Sequence, residues 1–124
     1  MPDQSYLGRT IVELKTHKGS LTELSDEEWT DFGVLVKKYE NAIKKSFNAD
    51  LFNWGCLMNH AYRKEPSNPH VHWHVRPRYK SKVEFEGQEF TDPDFGNHYD
   101  RDRNWPAADD LFQKVKVKIT EYLQ

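Results

Sequence analysis

The sequence predicts an α+β domain in which strands surround one long helix that follows the first strand, with a second helix at the C-terminal end. Three observations carry that expectation. A capping pattern at Ser25 opens an apolar stripe of six residues, spaced three or four apart, that runs to Phe47. Short runs of β-branched and aromatic residues stand before and after it, at 9–15, 51–58 and 71–76. Finally, 124 residues that are 36% hydrophobic and 14% aromatic suffice for one core and hardly for two, so a single domain is expected over 1–124.

In chain order, residues 1–8 read as polar and loosely held. Over 9–15, Thr10, Val12 and Leu14 alternate with Ile11, Glu13 and Lys15, the pattern of a strand of mixed exposure, and 16–20, with His17 and Gly19, reads as a loop. Ser25 and Glu28 have capping-box spacing, and Asp26 and Glu27 set carboxylates against the positive end of the helix dipole. Trp29, Phe32, Val36, Tyr39, Ile43 and Phe47 then mark the core side of a helix over 26–47, leaving Lys37, Lys38, Lys44 and Lys45 on a solvated face.

Residues 51–58 predict a second strand broken by Gly55, and Pro66 and Pro69 belong to a polar loop over 59–69. A third strand over 71–76 follows, then a short hairpin over 82–90 around Gly87 and a long ordered loop over 92–106. Residues 114–119 alternate as a strand would, yet Leu111, Val115, Ile119 and Tyr122 keep helical spacing. Pro106, Asp109 and Asp110 near the start favour a helix.

Eighteen basic against twenty acidic side chains give a net charge of −2, which argues against a protein that grips long nucleic acids through many phosphates. No run is long and apolar enough for a membrane span, so a soluble protein is expected. The first twenty residues lack the apolar core of a signal peptide, and Cys56 is the single cysteine; a reducing compartment, the cytoplasm, is the expectation. A small anionic ligand needs only a local positive patch, and Arg76, Arg78, Lys80 and Lys82 offer one.

The stretch "NPHVHWHVRPRY" holds three of the six histidines, at every second position. On a helix, His72 would face away from His70 and His74; on a strand all three rings share one face, with Val71, Trp73 and Val75 on the other. Such a row could give zinc two ligands, supply a nucleophile with supporting histidines, or merely face solvent. No Asp or Glu occurs between Pro66 and Glu84, while Arg76 and Arg78 follow directly, which suits a phosphate better than a dication. An imidazole that attacks phosphorus with one nitrogen needs its other N–H held by an acceptor.

The segment "HVHWHVR" resembles the signature of the histidine triad (HIT) superfamily of nucleotide hydrolases and transferases, three histidines separated by apolar residues, with Arg76 in place of the last apolar one. "LKTHKGSLTELSDEEW" is similar to the family segment in which an upstream histidine, here His17, precedes the first long helix. "FNWG" resembles its Asn-x-Gly strand, which maps to Asn53. The resemblance covers about 8–80, leaving hairpin, loop and C-terminal helix over 81–124.

It implies an antiparallel sheet with helices packed on it, usually paired into a homodimer, and an enzyme attacking the α-phosphate of dinucleoside polyphosphates or related nucleotide conjugates. By resemblance, His72 is the nucleophile that forms a covalent nucleotidyl-histidine, His70, His74 and His17 support it, and Asn53 holds phosphate or the histidine network. No tightly bound cofactor or protein-bound metal is implied, magnesium being allowed for with the substrate. Many relatives have Gln four residues before the first triad histidine; this chain has Pro66, followed by Ser67 and Asn68 as the nearest substitutes for leaving-group contacts. The loop between Asn53 and His70 is longer than is common, and sixteen residues precede His17, fewer than the extra strands of many relatives need. Substrate contacts are thus expected from Asn53, Ser67, Asn68, Arg76 and Arg78. A nucleotide-binding protein with little turnover and a zinc-dependent hydrolase remain as alternatives.

Overall fold

The computed structural model describes residues 1–123. Its architecture is α+β. Strands β1 (Thr10–Glu13), β2 (Leu51–Gly55) and β3 (His72–Arg78) form an antiparallel sheet in the order β1-β3-β2, and a hairpin joins β4 (Val83–Phe85) to β5 (Gln88–Phe90). Helix α1 (Asp26–Phe47) follows β1, and helix α2 (Asp109–Thr120) lies near the C-terminal end.

Helix α1 starts as its sequence requires. Ser25 Oγ accepts the Glu28 N–H (3.1 Å) and the Glu28 carboxylate accepts the Ser25 N–H (2.9 Å), which satisfies two amides that the first turn leaves without helical partners. It ends at Asn48, in the left-handed conformation that asparagine tolerates. The apolar stripe is buried only along the helix's second half: Tyr39, Ile43 and Phe47 enter the core, whereas Trp29 is 41% exposed and Phe32 and Val36 are half-buried.

Central strand β3 carries two different faces. Trp73 stacks on Phe32 of α1 with ring centroids 4.0 Å apart, and Val75 is fully buried with Leu7, Tyr39 and Phe47. Val115 brings α2 into the same core. The opposite face presents His72, His74, Arg76 and Arg78 by the two-residue period. Strand β3 begins one residue later than expected and extends through Pro77 to Arg78. Pro77 is tolerated because β1 pairs only as far as Val75, so the missing N–H falls where β3 has a neighbour on one side alone.

Residues 4–8 overturn the expectation of a loose N-terminus, for Gln4, Ser5, Tyr6, Leu7 and Gly8 are all buried. The carbonyls of Leu7 and Gly8 accept the buried hydroxyls of Tyr79 and Tyr39, and burial, first among the causes, raises the pKa of both phenols. Gln4 N–H donates to Trp105 O (3.0 Å), Asp100 N–H to the Tyr6 hydroxyl (2.7 Å) and Ala107 N–H to Pro2 O (3.0 Å). The N-terminal segment and the arm over 91–108 therefore complete each other's backbone hydrogen bonding.

The arm is anchored by Arg78. Its Nε and Nη2 donate to Asp92 Oδ2 and Oδ1 (2.7 and 3.1 Å), and Nη1 donates to Asn97 O (2.8 Å). Both charged side chains are 1% exposed. Removing one partner of such a pair strands the other charge without water, so Arg78→Met is expected to lower unfolding free energy by roughly 3–5 kcal/mol in urea titrations. A loss below about 1 kcal/mol would mean that the pair does not hold the arm.

Candidate active site

The histidine face of β3 opens into a pocket of about 520 Å³, within the range of small-molecule sites. His72, His74 and Arg76 form its floor. Leu57, Met58 and Ala61, in the segment that follows β2, give it an apolar side, while Arg9, Tyr99 and Arg101 bring charge and an aromatic ring from elsewhere in the chain. The pocket is lined by four arginines and three histidines and by no carboxylate among the described residues. A chain of slight negative charge has thus concentrated positive potential in one concavity.

His72 Nδ1 lies 2.8 Å from the carbonyl oxygen of His70. A carbonyl only accepts, so Nδ1 carries the proton and, in the neutral ring, Nε2 keeps its lone pair. The carbonyl at that position is steadied in turn by the His70 ring, whose Nε2 donates to Leu14 O (2.7 Å) and whose Nδ1 is 2.9 Å from His17 Nδ1. His17 Nε2 meets Asn68 Oδ1 at 2.9 Å. With Asn68 presenting its oxygen, both ends of this chain are acceptors, so His70 Nε2 and His17 Nε2 are the donors there.

His17 is itself held by the helix cap. Glu28, which closes the capping box, also accepts the Thr16 hydroxyl (2.7 Å) and pairs with Lys18, clasping the residues on either side of His17. These contacts, Lys18 foremost and the Ser25 amide next, draw the Glu28 carboxyl down to about 2. His74 stands edge-on to His72 with centroids 5.2 Å apart. Burial, followed by the charges of His72, Arg76 and Arg9, lowers its pKa below the ordinary imidazole value, favouring a neutral ring.

The structure gathers only some of the expected site residues. His72, His74 and Arg76 line the pocket, and His70, His17 and Asn68 form the chain behind His72. Arg78 does not line it: the guanidinium is spent on Asp92, Asn97 and Asn53, whose Oδ1 accepts from Nη1 at 3.0 Å. Asn53 accordingly faces Arg78 and is likewise absent from the pocket wall. Ser67 is exposed, with its hydroxyl in no hydrogen bond among the described residues. Lys82 pairs with Glu84 and Glu89 of the hairpin, so the four basic residues after the triad do not form one patch.

Arg9, Tyr99 and Arg101 were not marked by any motif. Arg9 alone had a signal, since pairing of the first strand with the triad strand brings it level with Arg76. His98 is exposed and bonded to the Tyr99 carbonyl, as an ordinary loop histidine would be. A slightly larger hollow of about 590 Å³ lies between β1 and α1, but its lining includes Glu13, Glu27, Glu28 and Asp31, which repel a phosphate. Among the described residues no three His, Cys, Asp or Glu side chains group as metal ligands, and no helix is long and apolar enough to cross a membrane.

Fold and site together are similar to the histidine triad arrangement: an antiparallel sheet whose middle strand carries His72 and His74, with His70 just before it, backed by a long helix. Among curated proteins the chain is similar to adenosine 5'-monophosphoramidase hnt1 of Schizosaccharomyces pombe, with 34% identity over 71 residues. That match takes in 57% of this chain and 49% of the yeast protein, so the chain matches about half the length of its relative. It supports the resemblance to histidine triad proteins, while no family model matches the chain.

The hydrogen bond to the His70 carbonyl makes the His72 tautomer measurable. Nitrogen NMR at alkaline pH is expected to find neutral His72 protonated on Nδ1; a ring protonated on Nε2 would contradict the geometry.

Proposed function

We propose that the chain hydrolyses or transfers a nucleotidyl group, with His72 as nucleophile. The observation that carries this reading is the 2.8 Å contact between His72 Nδ1 and the His70 carbonyl, which leaves the Nε2 lone pair in a cationic pocket that has no carboxylate among the described residues. In the first step Nε2 attacks the α-phosphorus, a P–Nε2 bond forms, and the P–N or P–O bond to the leaving group breaks with its electron pair passing to that group. The His70 carbonyl stabilises the cationic ring through Nδ1–H. In the second step water attacks phosphorus, the P–Nε2 bond breaks, and the proton lost by water balances the one taken up by the leaving group. The products are a nucleoside monophosphate and the protonated leaving group.

Similarity to an adenosine 5'-monophosphoramidase supports phosphoramidates as substrates, with dinucleoside polyphosphates as a second class. In this reading His70, His17 and Asn68 act as positioning residues, and His74 and Arg76 meet the substrate. A nucleotide-binding role with little turnover is favoured by one observation alone: Pro66 and the unbonded Ser67 stand where relatives contact the leaving group.

The test is turnover of adenosine phosphoramidate and diadenosine polyphosphates, with and without chelator, beside His72→Ala. The variant is expected to lose roughly six orders of magnitude in kcat, as nucleophile removal does elsewhere, and acid-labile nucleotidyl-protein should accumulate only with His72 present. Tight nucleotide binding without products would favour the binding role, and stoichiometric zinc in the active protein would replace this mechanism with a metal-dependent one.

We also propose a homodimer, supported by the exposed Trp29, Val34 and Leu35 on the first half of α1. Sedimentation equilibrium should report twice the chain mass, and a monomer at all concentrations would refute it.

A further inference from the structure

Arg76 stands where the triad signature has an apolar residue, and its surroundings are unusual for a cation. The residue is 8% exposed, yet among the described residues it has neither a carboxylate partner nor a side-chain hydrogen bond, and its Nε is buried and unpartnered. Its guanidinium lies 3.9 Å from the centre of the Tyr99 ring, which covers one flat face and leaves the edge donors available. Antiparallel pairing of Thr10 with Val75 brings Arg9 level with Arg76. Arg9 has Asp3 as its ion-pair partner, and its Nε is likewise buried without one. Burial, then the charge of Arg9, lowers the Arg76 pKa, as expected for a cation held beside another away from water.

A buried, uncompensated guanidinium is costly unless an anion joins it. The sheet register shows where that anion would sit. Gly55 pairs with His74 and Asn53 with Arg76, so Leu57 and Met58, beyond Gly55, belong to the His72 end of the pocket, while Arg9 and Arg76 mark the opposite end. Four steps of strand lead from His72 to Arg76, roughly 13 Å between backbone positions, a span that the long arginine side chain can shorten toward a group beyond the reacting phosphorus. The apolar end suits a nucleoside, and the paired arginines suit further phosphate.

We propose that Arg76 and Arg9, with Tyr99 and Arg101 beside them, form a subsite for a second anionic group, a phosphate attached beyond the phosphorus that His72 attacks. The identity of the neighbouring group rests on the nucleotidyl reading above; the phosphate subsite itself does not. It makes conjugates with additional phosphates better substrates for this chain than those whose leaving group is uncharged.

Two measurements on the whole chain test this separately. The first is the ratio of kcat/KM for diadenosine tetraphosphate to that for adenosine phosphoramidate, compared between the native chain and Arg76→Gln. The second is calorimetric binding of inorganic pyrophosphate to the same two proteins. Loss of a charge-assisted contact should lower both the ratio and the pyrophosphate affinity about ten- to hundredfold. Equal losses on both substrates, or pyrophosphate affinity unchanged by the substitution or absent from the native chain, would overturn the subsite. Pyrophosphate binding that depends on Arg76 in a chain that turns over neither substrate would uphold the subsite and reject the nucleotidyl reading. Should Arg76→Gln fail to fold, Arg76→Lys carries the same test, because a point charge does not reproduce the guanidinium fork.

Discussion

The two-residue alternation of β3 is the constraint on which the rest depends. One face must enter the core, where Trp73 stacks on Phe32 and Val75 is fully buried. The other face must then present His72, His74, Arg76 and Arg78 together, because a register slip of one residue would exchange the two sets completely. Apolar packing therefore aims the polar row, and the site inherits the rigidity of the core. The same logic extends to the backbone: the His70 carbonyl that meets His72 Nδ1 lies just before the strand, next to Val71, whose N–H and C=O bond to Lys18 and Leu14.

Two arginines of this one row have opposite roles. Arg78 is buried with a bidentate carboxylate and further acceptors, so its charge is compensated within the chain and its geometry is that of an anchor. Arg76, two residues earlier on the same face, is nearly as buried and has an aromatic ring where an acid would be expected. Strand period alone puts both guanidiniums on the pocket side. The arm over 91–108 decides between them, since it supplies Asp92 to the one and Tyr99 to the other.

Where the information was local, the fold was legible in the sequence. The Ser25–Glu28 capping pattern and the apolar stripe placed α1 at 26–47, and alternation put His72 and His74 on a strand, with His70 just outside it, because caps and periodicity act over a few residues. The buried N-terminal segment was not legible. Tyr6 and Leu7 are two apolar residues among polar ones, and what buries them is a hydrogen-bonded union with an arm nearly a hundred residues away. Exposure of Trp29 was hidden for a related reason, since a helical stripe shows which side is apolar and not how far the sheet beneath it reaches. At the site, the triad and His17 were legible through their motif, whereas Arg9 and Arg101 entered only by tertiary proximity, and Arg78 looked like a ligand contact until its partner was in view.

A net charge of −2 and an arginine-rich pocket are compatible because a fold can segregate charges that composition averages. Acidic side chains are present nearby in sequence at Asp92, Asp94, Asp100 and Asp102, yet none lines the pocket. Asp92 is withdrawn onto Arg78, and Asp100 and Asp102 are joined in a turn of the arm by the Asp102 N–H to Asp100 Oδ1 bond. Keeping carboxylates out while burying Arg76 raises the free energy of the empty pocket, for each unpaired cation there has given up solvent without gaining a counterion. The positive potential of the pocket thus resides as much in where the acids have been placed as in the arginines themselves.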